Sequence, residues 1–311
     1  MATARTDDRL VRKLKEAFGA SLCEALEDPE VIEIMLNPDG SLYIETQGAG
    51  MAAAGRLDMH RAEVVIGIVA HGLGQDVNEA RPIVSGELPL GGHRFEGLLP
   101  PVVKGPTFSI RRQVKSRLAL KDYVDTGIMS SAQSERILQA IRERQNILVC
   151  GGTGSGKTTL ANAVMREIQL LFPGDRIVLI EDTIEIDCGH ENAVMLKSSD
   201  ALPASQLLKS TLRLRPDRIM VCEVRDGAAL TLLKAWNTGH PGGFTTLHAN
   251  NARAALIRLE QLVAEVSHSP MRQVIADAVD LIVSIRRTET GRTVEEVRRV
   301  TGFADGQYQL T

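Results

Sequence analysis

The amino-acid sequence predicts an α/β protein of two domains, a smaller α+β domain followed by a larger one with a mostly parallel sheet. Three observations carry this prediction. Up to about residue 112 the chain holds helical stretches and short strands broken by glycine and proline, whereas from Ser130 onward strand and helix patterns alternate with short connections. The length of 311 residues, with 43% hydrophobic and 24% charged residues, suits two globular domains. We expect the domains at residues 1–114 and 130–311, joined by a linker at residues 115–129.

The predicted first domain mixes helices with antiparallel strands. Apolar residues at helical spacing predict helices in LVRKLKEAFGASLCEAL and HRAEVVIGIVAHGL. Between them, VIEIMLNPDGSLYIE alternates on both sides of Asn37-Pro38-Asp39-Gly40, which is typical of a β-hairpin. Further strands are predicted in PIVSGELPLGGHRFEGLLPPVV and TFSIRR. The charged and weakly periodic stretch QVKSRLALKDYVDTG is interpreted as the linker.

The predicted second domain repeats strand and helix in turn. Its buried strands are predicted in NILVC, RIVLIED, DRIMVCE and FTTLH. Its helices are predicted in SSAQSERILQAIRERQ, LANAVMREIQLLF, PASQLLKSTLRLR and DGAALTLLKAWNT. A serine cap begins the first of these helices, and Pro173-Gly174 stops the second. Because the connections are short, the strands are expected to run parallel, with helices on both faces of the sheet.

Composition argues against several classes of protein and site. The net charge of −3, with three tyrosines and one tryptophan, speaks against a broad nucleic-acid-binding surface, so no direct nucleic-acid binding is expected. The four cysteines form no CxxC pair, which makes a zinc site unexpected and a reducing compartment the simplest location. The start of the chain lacks the apolar segment of a secretory signal. The apolar runs VVIGIVA and ILVC are shorter than the ~18 residues of a membrane span, so any membrane association is expected to be peripheral.

One segment matches a phosphate-binding loop in full. GGTGSGKTT fits the pattern G-x-x-x-x-G-K-[ST] and lies between a predicted strand and a predicted helix, the context that the pattern requires. Glycine lets successive backbone N–H groups curl around phosphate oxygens, and the helix N-terminus adds partial positive charge. Lys157 is expected to reach the β- and γ-phosphates of ATP, and Thr158 to bind Mg²⁺. The predicted nucleotide-binding residues are Gly151, Gly152, Thr153, Gly154, Ser155, Gly156, Lys157, Thr158 and Thr159.

Carboxylates end two predicted strands of the same sheet. Glu223 closes DRIMVCE, and Glu181 and Asp182 close RIVLIED, with Glu185 just beyond. Ligands of such sheets lie at the carboxyl ends of the strands. These side chains are therefore expected to hold Mg²⁺ through water or to act as a base on the attacking water. The alternative is that they only solvate the starts of loops.

Four segments in order resemble the motifs of the type II and type IV secretion ATPase superfamily, most of all its conjugal-transfer, TrbB-like branch. The segments GGTGSGKTT, LIEDTIEI, LRLRPDRIMVCEVRDGAA and KAWNTGHPGGFTTLHAN correspond to the Walker A, Asp box, Walker B and His box of that family. The resemblance is nearly continuous from about Ser130 to Asn250. In the first domain it is thinner and rests on GGHRFEGLLPPVV and TFSIRR. It implies a RecA-like P-loop NTPase domain preceded by a smaller α+β, PAS-like domain.

The resemblance also implies roles for single residues. Glu181 of the Asp box and Glu223 of the Walker B segment would support the metal, through water, and the attacking water. His248 and His240 are the two His-box positions, and His248 would contact the γ-phosphate. The chain departs from the family pattern at Cys222, where glycine is usual, and a thiol there is expected to slow turnover or to add redox sensitivity.

The two histidines of GHPGGFTTLHAN are interpreted separately. No third and fourth ligands converge with them by spacing, which argues against zinc. The predicted strand GFTTLH would lift His248 to the carboxyl end of the sheet, where Glu223 also points, as a phosphate sensor. His240 precedes that strand and is expected to contact a neighbouring subunit or domain and to couple it to the site.

Arginines of the first domain are candidates for contact with the nucleotide. The arginine fingers of the family match Arg94 in GGHRFEG and Arg111 in TFSIR. A guanidinium suits the charge that develops on a transferred phosphate. These arginines would reach the nucleotide only if their domain closed over it or a neighbouring subunit offered them. For four other arginines, a structural ion pair is as good an explanation as a role at the nucleotide: Arg112, Arg213, Arg215 and Arg225.

The resulting hypothesis is an ATP hydrolase that drives a secretion or conjugation machine or its pilus assembly. The resemblance implies a homohexamer at the cytoplasmic face of the inner membrane, with ATP bound between the two domains and inner-membrane secretion or conjugation components as partners. Two other classes stay open, a RecA-like nucleic-acid translocase and a nucleotide-gated scaffold that binds ATP without turnover. A small-molecule kinase is disfavoured because no lid-like insertion with clustered arginines follows the P-loop helix.

Overall fold

A computed structural model describes residues 2–113, 118–199 and 201–311, with side chains from residue 8 onward. The chain divides into two compact units, residues 1–114 and 115–311. The first residues of the predicted linker, 115–117, lie outside the described residues. None of the helices in the described ranges combines the length and the apolar character that a membrane crossing requires.

The first unit combines helices with one antiparallel sheet. In chain order its elements are α1 (Ala2–Phe18), α2 (Ala20–Glu27), β1 (Val31–Leu36), β2 (Ser41–Thr46), β3 (Gly50–Arg56), α3 (Met59–Gly72), β4 (Ile83–Glu87), β5 (Arg94–Leu98) and β6 (Thr107–Arg111). The strand order is β3-β2-β1-β6-β5-β4, and every neighbouring pair is antiparallel. One face of the sheet packs on the helices through a core that includes Leu14, Phe18, Val65, Phe95 and Phe108. This unit is the α+β domain that the sequence predicts.

Local sequence explains three details of this unit. The predicted hairpin is confirmed, since β1 and β2 pair with Leu36 opposite Leu42. The first predicted helix is instead two helices, α1 and α2, which part at Gly19 because its φ of 75° lies in the left-handed region. The sequence does not predict β3, because GMAAAGR lacks alternation and all seven residues are exposed.

The second unit is built on one large sheet. Its elements are α4 (Leu120–Asp125), α5 (Ser131–Arg142), β7 (Ile147–Cys150), α6 (Lys157–Leu171), β8 (Ile177–Glu181), β9 (Ala193–Lys197), α7 (Ala204–Thr211), β10 (Arg218–Glu223), α8 (Ala228–Asn237), β11 (Phe244–Leu247), α9 (Ala252–Ala264), α10 (Arg272–Ala278), β12 (Leu281–Thr288), β13 (Gly291–Ala304) and β14 (Gln307–Leu310). The strand order is β14-β13-β12-β7-β11-β10-β8-β9. From β12 to β9 all pairs are parallel, and β13 and β14 add antiparallel pairs at one edge. The prediction of a mostly parallel sheet is confirmed.

Helices cover both faces of this sheet. Successive strand residues point to opposite faces, so Ile147 and Val149 of β7 pack in a core with α4, α5 and α6, whereas Leu148 and Cys150 pack in a core with α7 to α10. Strands buried on both faces read as continuous apolar runs, as NILVC does. The carboxyl ends of β7, β8, β10 and β11 lie along one edge, which is where sheets of this kind bind their ligands.

The structure differs from the predicted linker in its second half. Residues 120–125 form α4, whose Leu120 and Tyr123 are 1% and 2% exposed and pack in the core with α5 and α6. These two apolar residues lie three positions apart and share one helix face. The charges around them conceal that spacing in the sequence.

Candidate nucleotide-binding site

The segment from Gly151 to Gly156 forms a tight loop between β7 and α6. Gly154 and Gly156 have φ angles of 68° and 99°, a region that favours glycine, and Gly156 is the residue that precedes α6. A side chain on Gly151 would overlap the carbonyl oxygen of Ile285 on the adjacent strand β12. The glycines are therefore required by backbone geometry, and the loop they allow presents its N–H groups at the positive end of α6.

Lys157 is the first residue of α6 and is 7% exposed. Its Nζ donates to the carbonyl oxygen of Gly152 at 3.0 Å and lies 3.4 Å from His248 Nδ1. Ser155, also buried, has an Oγ for which the described residues supply no hydrogen-bond partner. A buried ammonium and an unused hydroxyl within one glycine loop fit the oxygens of a bound phosphate.

Glu223 and His248 meet at the carboxyl edge of the sheet. Glu223 is the last residue of β10, and His248 follows the last residue of its parallel neighbour β11. His248 Nε2 lies 3.0 Å from Glu223 Oε1, and the other ring nitrogen faces Lys157. The structure thus brings three of the sequence-predicted residues, Lys157, His248 and Glu223, into one row of contacts.

Glu181 occupies a different setting at the end of β8. It is 3% exposed, and its Oε1 accepts hydrogen bonds from the backbone N–H groups of Glu185 at 3.0 Å and Ile186 at 2.9 Å. Burial raises the pKa of Glu181 to about 7, although the two N–H groups act in the opposite direction. The carboxylate therefore shapes the loop of residues 182–186 that follows β8.

Oxygen atoms suited to Mg²⁺ are present around the loop. Thr158 is the second residue of α6, and the carboxylates of Glu181 and Glu223 are at the ends of the neighbouring strands β8 and β10. Within the described ranges no group of three or more His, Cys, Asp or Glu side chains could hold a metal ion. This donor set suits Mg²⁺, which keeps several waters and is shared between a few protein oxygens and the phosphates of a nucleotide.

Arg225 and Asn162 also join parts of the site, although the sequence does not single out either for this role. The Arg225 guanidinium donates to Asp182 Oδ2 at 2.7 Å and to Glu223 Oε2 at 2.6 Å. Asn162 is 8% exposed, and its Nδ2 donates to the carbonyl oxygens of Thr158 and Glu185. The only sequence signals are spacings, since Arg225 is two residues after Glu223 and Asn162 is one helical turn after Thr158.

Two arginines from the β12–β13 hairpin flank the loop as well. Arg287 and Arg292 are opposite each other in the register of the hairpin, and both are exposed. A Cβ atom on Gly156 would lie 3.0 Å from Arg292 Cδ, and one on Gly154 would lie 4.0 Å from Arg287 Nη1. The hairpin therefore adds positive charge to the side of the loop that faces away from β10.

His240 is not part of this cluster. It lies between α8 and β11, and its Nδ1 is 3.0 Å from the carbonyl oxygen of Pro216, just before β10. Because β10 and β11 are parallel, this position is at the amino ends of the strands, whereas His248 is at the carboxyl ends. The structure thus separates the two histidines by the length of β11.

Arg94 and Arg111 come together within the first unit. They are opposite each other on the neighbouring strands β5 and β6. These four residues form a row across the strands, because Arg94 is also opposite Glu87 of β4 and Arg111 is also opposite Glu33 of β1. Cross-strand partners share a face of the sheet, so the two guanidiniums lie on one face with an acid at each end of the row.

Cys222 is a buried residue of β10, 4% exposed. Burial, followed by the negative charge of Glu181, raises its pKa well above the usual range. Thiol reactivity depends on the thiolate, so this cysteine is a poor target for oxidation. The expectation of redox sensitivity is not supported by this environment.

Comparison with known proteins identifies the family of the chain. A family model described as "Type II/IV secretion system protein" matches residues 87–299. The conjugal transfer protein TrbB of Rhizobium radiobacter is 59% identical over 309 residues, which cover 99% of this chain and 96% of that protein. The VirB11 ATPase of the Brucella suis type IV secretion system, solved in complex with sulphate, is 26% identical with a TM-score of 0.50, covering 95% of this chain and 96% of its own. The Legionella pneumophila ATPase DotB shares the fold with a TM-score of 0.62 at 22% identity, covering 88% of this chain and 78% of its own.

Proposed function

Since the chain belongs to the type II/IV secretion system protein family, we propose that it is a Mg²⁺-dependent ATP hydrolase that powers a type IV secretion or conjugal DNA-transfer machine or the assembly of its pilus. The observation that best supports ATP hydrolysis is the row of contacts from Lys157 through His248 to Glu223. It joins the phosphate-binding loop to a carboxylate at the ligand edge of the sheet. The names of the relatives, a conjugal transfer protein and an ATPase of a type IV secretion system, support the assignment to such a machine.

Each residue of the row has a chemical role in the proposed reaction. The N–H groups of the loop and the Lys157 ammonium hold the β- and γ-phosphates. Glu223 Oε1, which lies 3.0 Å from His248 Nε2, orients the attacking water. Mg²⁺, when bound, neutralises charge on the phosphate oxygens. His248 lies between Lys157 and Glu223 and senses whether a γ-phosphate is present.

The proposed assembly is a homohexameric ring at the cytoplasmic face of the inner membrane, docked on secretion or conjugation components. ATP binds between the two domains of the chain, and Arg94 and Arg111 supply positive charge to its phosphates. The pairing of these arginines on one face of β5 and β6 supports a shared role. Hydrolysis changes the contact of the first domain with the nucleotide, and the ring converts that change into motion.

The test of this proposal is phosphate release from ATP. Lys157→Ala and Glu223→Gln are expected to lower kcat by about 100-fold or more, because each removes a group that acts on the γ-phosphate or the water. A matched control is Arg142→Gln, which removes an exposed ion pair with Glu135 on α5 and should retain activity. Wild-type turnover in both site variants would overturn the proposal. Tight ATP binding by the wild type without phosphate release would favour the nucleotide-gated scaffold instead.

A nucleic-acid translocase is distinguished by its affinity for a strand. Filter binding to a single-stranded oligonucleotide at low salt should detect phosphate-driven association, which would weaken steeply as salt is raised. The net charge of −3 argues for no binding. Salt-sensitive binding that stimulates ATP hydrolysis would favour the translocase.

A further inference from the structure

Arg225 links the Walker B carboxylate to the loop after β8. Its Nη2 lies 2.6 Å from Glu223 Oε2, and its Nη1 lies 2.7 Å from Asp182 Oδ2. Glu223 ends β10 and Asp182 follows the end of β8, so one guanidinium spans the carboxyl ends of two neighbouring parallel strands. We propose that Arg225 is a positioning residue that holds Glu223 and Asp182 in a fixed arrangement for ATP hydrolysis. This inference rests on the proposed ATPase function.

The electrostatics of the two acids require a cation between them. Asp182 and Glu223 are like charges brought close by the pairing of β8 and β10, and Glu185 adds a third carboxylate nearby. The hydrogen bond to Glu223, followed by the charge of Asp182, raises the pKa of Arg225 above its already high value. The guanidinium therefore stays charged, and its planar fork suits two acceptors at once.

Arg225 also fixes which oxygen of Glu223 faces His248 and the site of the attacking water. The guanidinium occupies Oε2, and the remaining oxygen, Oε1, lies 3.0 Å from His248 Nε2. Without the fork, the carboxylate could rotate and offer either oxygen, or it could turn toward Lys157. Since the attacking water must lie in line with the γ-phosphate, loss of this orientation should reduce turnover more than nucleotide binding.

The other end of the fork connects to the P-loop helix. Asp182 begins the loop whose later N–H groups bind Glu181, and the same loop is tied to α6 through Asn162. Asn162 Nδ2 donates to the Thr158 carbonyl oxygen at 3.2 Å and to the Glu185 carbonyl oxygen at 3.0 Å. Arg225 thereby closes a ring of contacts. The ring runs from Lys157 through His248 to Glu223, crosses Arg225 to Asp182, and returns through the loop after β8 and Asn162 to Thr158.

A role in folding alone does not account for this contact. The side chains of Arg225 and Asp182 are 48% and 44% exposed, and ion pairs of that exposure contribute little to stability. Asp182→Asn, which weakens this exposed pair, is thus expected to leave the thermal unfolding midpoint close to that of the wild type. An effect on kcat without an effect on unfolding is the signature of positioning.

The experiment measures kcat and KM for ATP in the wild-type protein and five variants. Arg225→Gln is expected to lower kcat roughly tenfold or more with KM changed less than about threefold. Asp182→Asn, which keeps the Oδ1 acceptor used by Thr183 N–H, should produce a similar loss. The double variant should be no worse than the worse single variant, because both changes break one contact. Arg142→Gln, an ion pair of similar exposure on α5, is the control and should match the wild type.

Arg225→Lys separates charge from geometry. A lysine keeps the positive charge but has no fork, so it is expected to restore only part of the lost kcat. Full recovery in this variant would overturn the role of the two-carboxylate geometry. An Arg225→Gln enzyme with wild-type kcat would overturn the whole inference, as would fully additive losses in the double variant. A wild-type protein without ATPase activity would instead reject the proposed function on which the inference rests.

Discussion

Glu181 and Glu223 end neighbouring strands of one sheet, yet their carboxylates have different surroundings. Glu181 is 3% exposed, and its hydrogen bonds come from backbone N–H groups of the loop after β8. Glu223 is contacted by charged or titratable side chains, Arg225 and His248. Glu181, buried against backbone donors, holds the loop after β8 in place. Glu223 is joined to Lys157 through His248 and is the better candidate to act on water.

Stability should depend on pH through Glu181. Burial raises its pKa from 4.5 to about 7 in the folded protein, so the folded state favours the protonated acid. The stability that this contributes is complete below pH 4.5 and is lost as pH rises through 7. The free energy of unfolding changes by about 3 kcal/mol, because each unit of pKa shift corresponds to about 1.36 kcal/mol. Glu181→Gln keeps the Oε1 acceptor without the charge. We expect its thermal unfolding midpoint to exceed that of the wild type at pH 8 and to equal it near pH 5.

The measurement is circular dichroism melting at several pH values between 5 and 8. Glu135→Gln on the exposed surface of α5 is the control and should show the same difference from the wild type at every pH. A midpoint for Glu181→Gln that stays below the wild-type value at pH 8 would mean that the carboxylate is ionised and stabilising in the folded protein.

The two histidines of the His box should behave differently. His248 contacts Glu223 and Lys157, whereas His240 contacts the carbonyl oxygen of Pro216 at the opposite ends of the strands. His248→Asn is expected to lower kcat about tenfold or more while leaving the Kd for ATP nearly unchanged. His240→Asn should retain kcat within about twofold when assayed as the isolated protein. Equal losses of kcat in both variants would show that the two ends of β11 are coupled during turnover.

At the scale of elements, the β12–β13 hairpin is a wall of the phosphate-binding loop. β12 pairs in parallel with β7, so its continuation passes beside the loop that β7 enters. The close approach of the Ile285 carbonyl oxygen to Gly151 and of Arg292 to Gly156 follows from this pairing. Strand β12, which comes late in the chain, thus restricts the loop that follows β7 and requires glycine there.

Positive charge on this hairpin should strengthen nucleotide binding. Arg292 packs its side chain against Gly156, so its guanidinium lies near the phosphates that the loop would hold. Arg292→Gln is expected to raise the Kd for ATP about fivefold, measured by titration with a fluorescent ATP analogue, with a smaller effect at high salt. Arg298→Gln on the same strand, where the arginine faces Glu296, is the control and should not change Kd. An unchanged Kd for the Arg292 variant would place its charge outside the nucleotide site.

Elements and contacts differ in how far the sequence predicts them. The loop from Gly151 to Gly156 and the start of α6 are predicted because their geometry depends on adjacent residues, and the strands around them read as local apolar runs. The contact of Arg225 with Asp182 joins residues 43 positions apart, and that of Asn162 with Asp187 joins residues 25 apart. Such contacts depend on the order of strands in the sheet, which periodicity does not specify. Helix α4 was concealed for another reason, since its two buried residues are surrounded by charges.

At the scale of the whole molecule, the proposed machine requires the two units to act on one nucleotide. The second unit carries the phosphate-binding loop and its carboxylates, and the first carries Arg94 and Arg111 on adjacent strands. ATP should therefore favour the assembled state. Light scattering after size exclusion is expected to give the mass of six chains with a non-hydrolysable ATP analogue. A single-chain mass with and without the analogue would contradict the ring.

Mixing two inactive variants distinguishes arginines that act within one chain from those that act on a neighbour. In Lys157→Ala the arginines are intact but phosphate binding is lost, whereas in the double variant Arg94→Gln and Arg111→Gln the loop is intact. If ATP binds between the domains of one chain, no subunit of a mixed ring carries both parts, and phosphate release should stay at the level of the separate variants. Recovery of activity on mixing would show that each site is completed by the arginines of a neighbouring subunit, because only a shared site can combine the two intact halves.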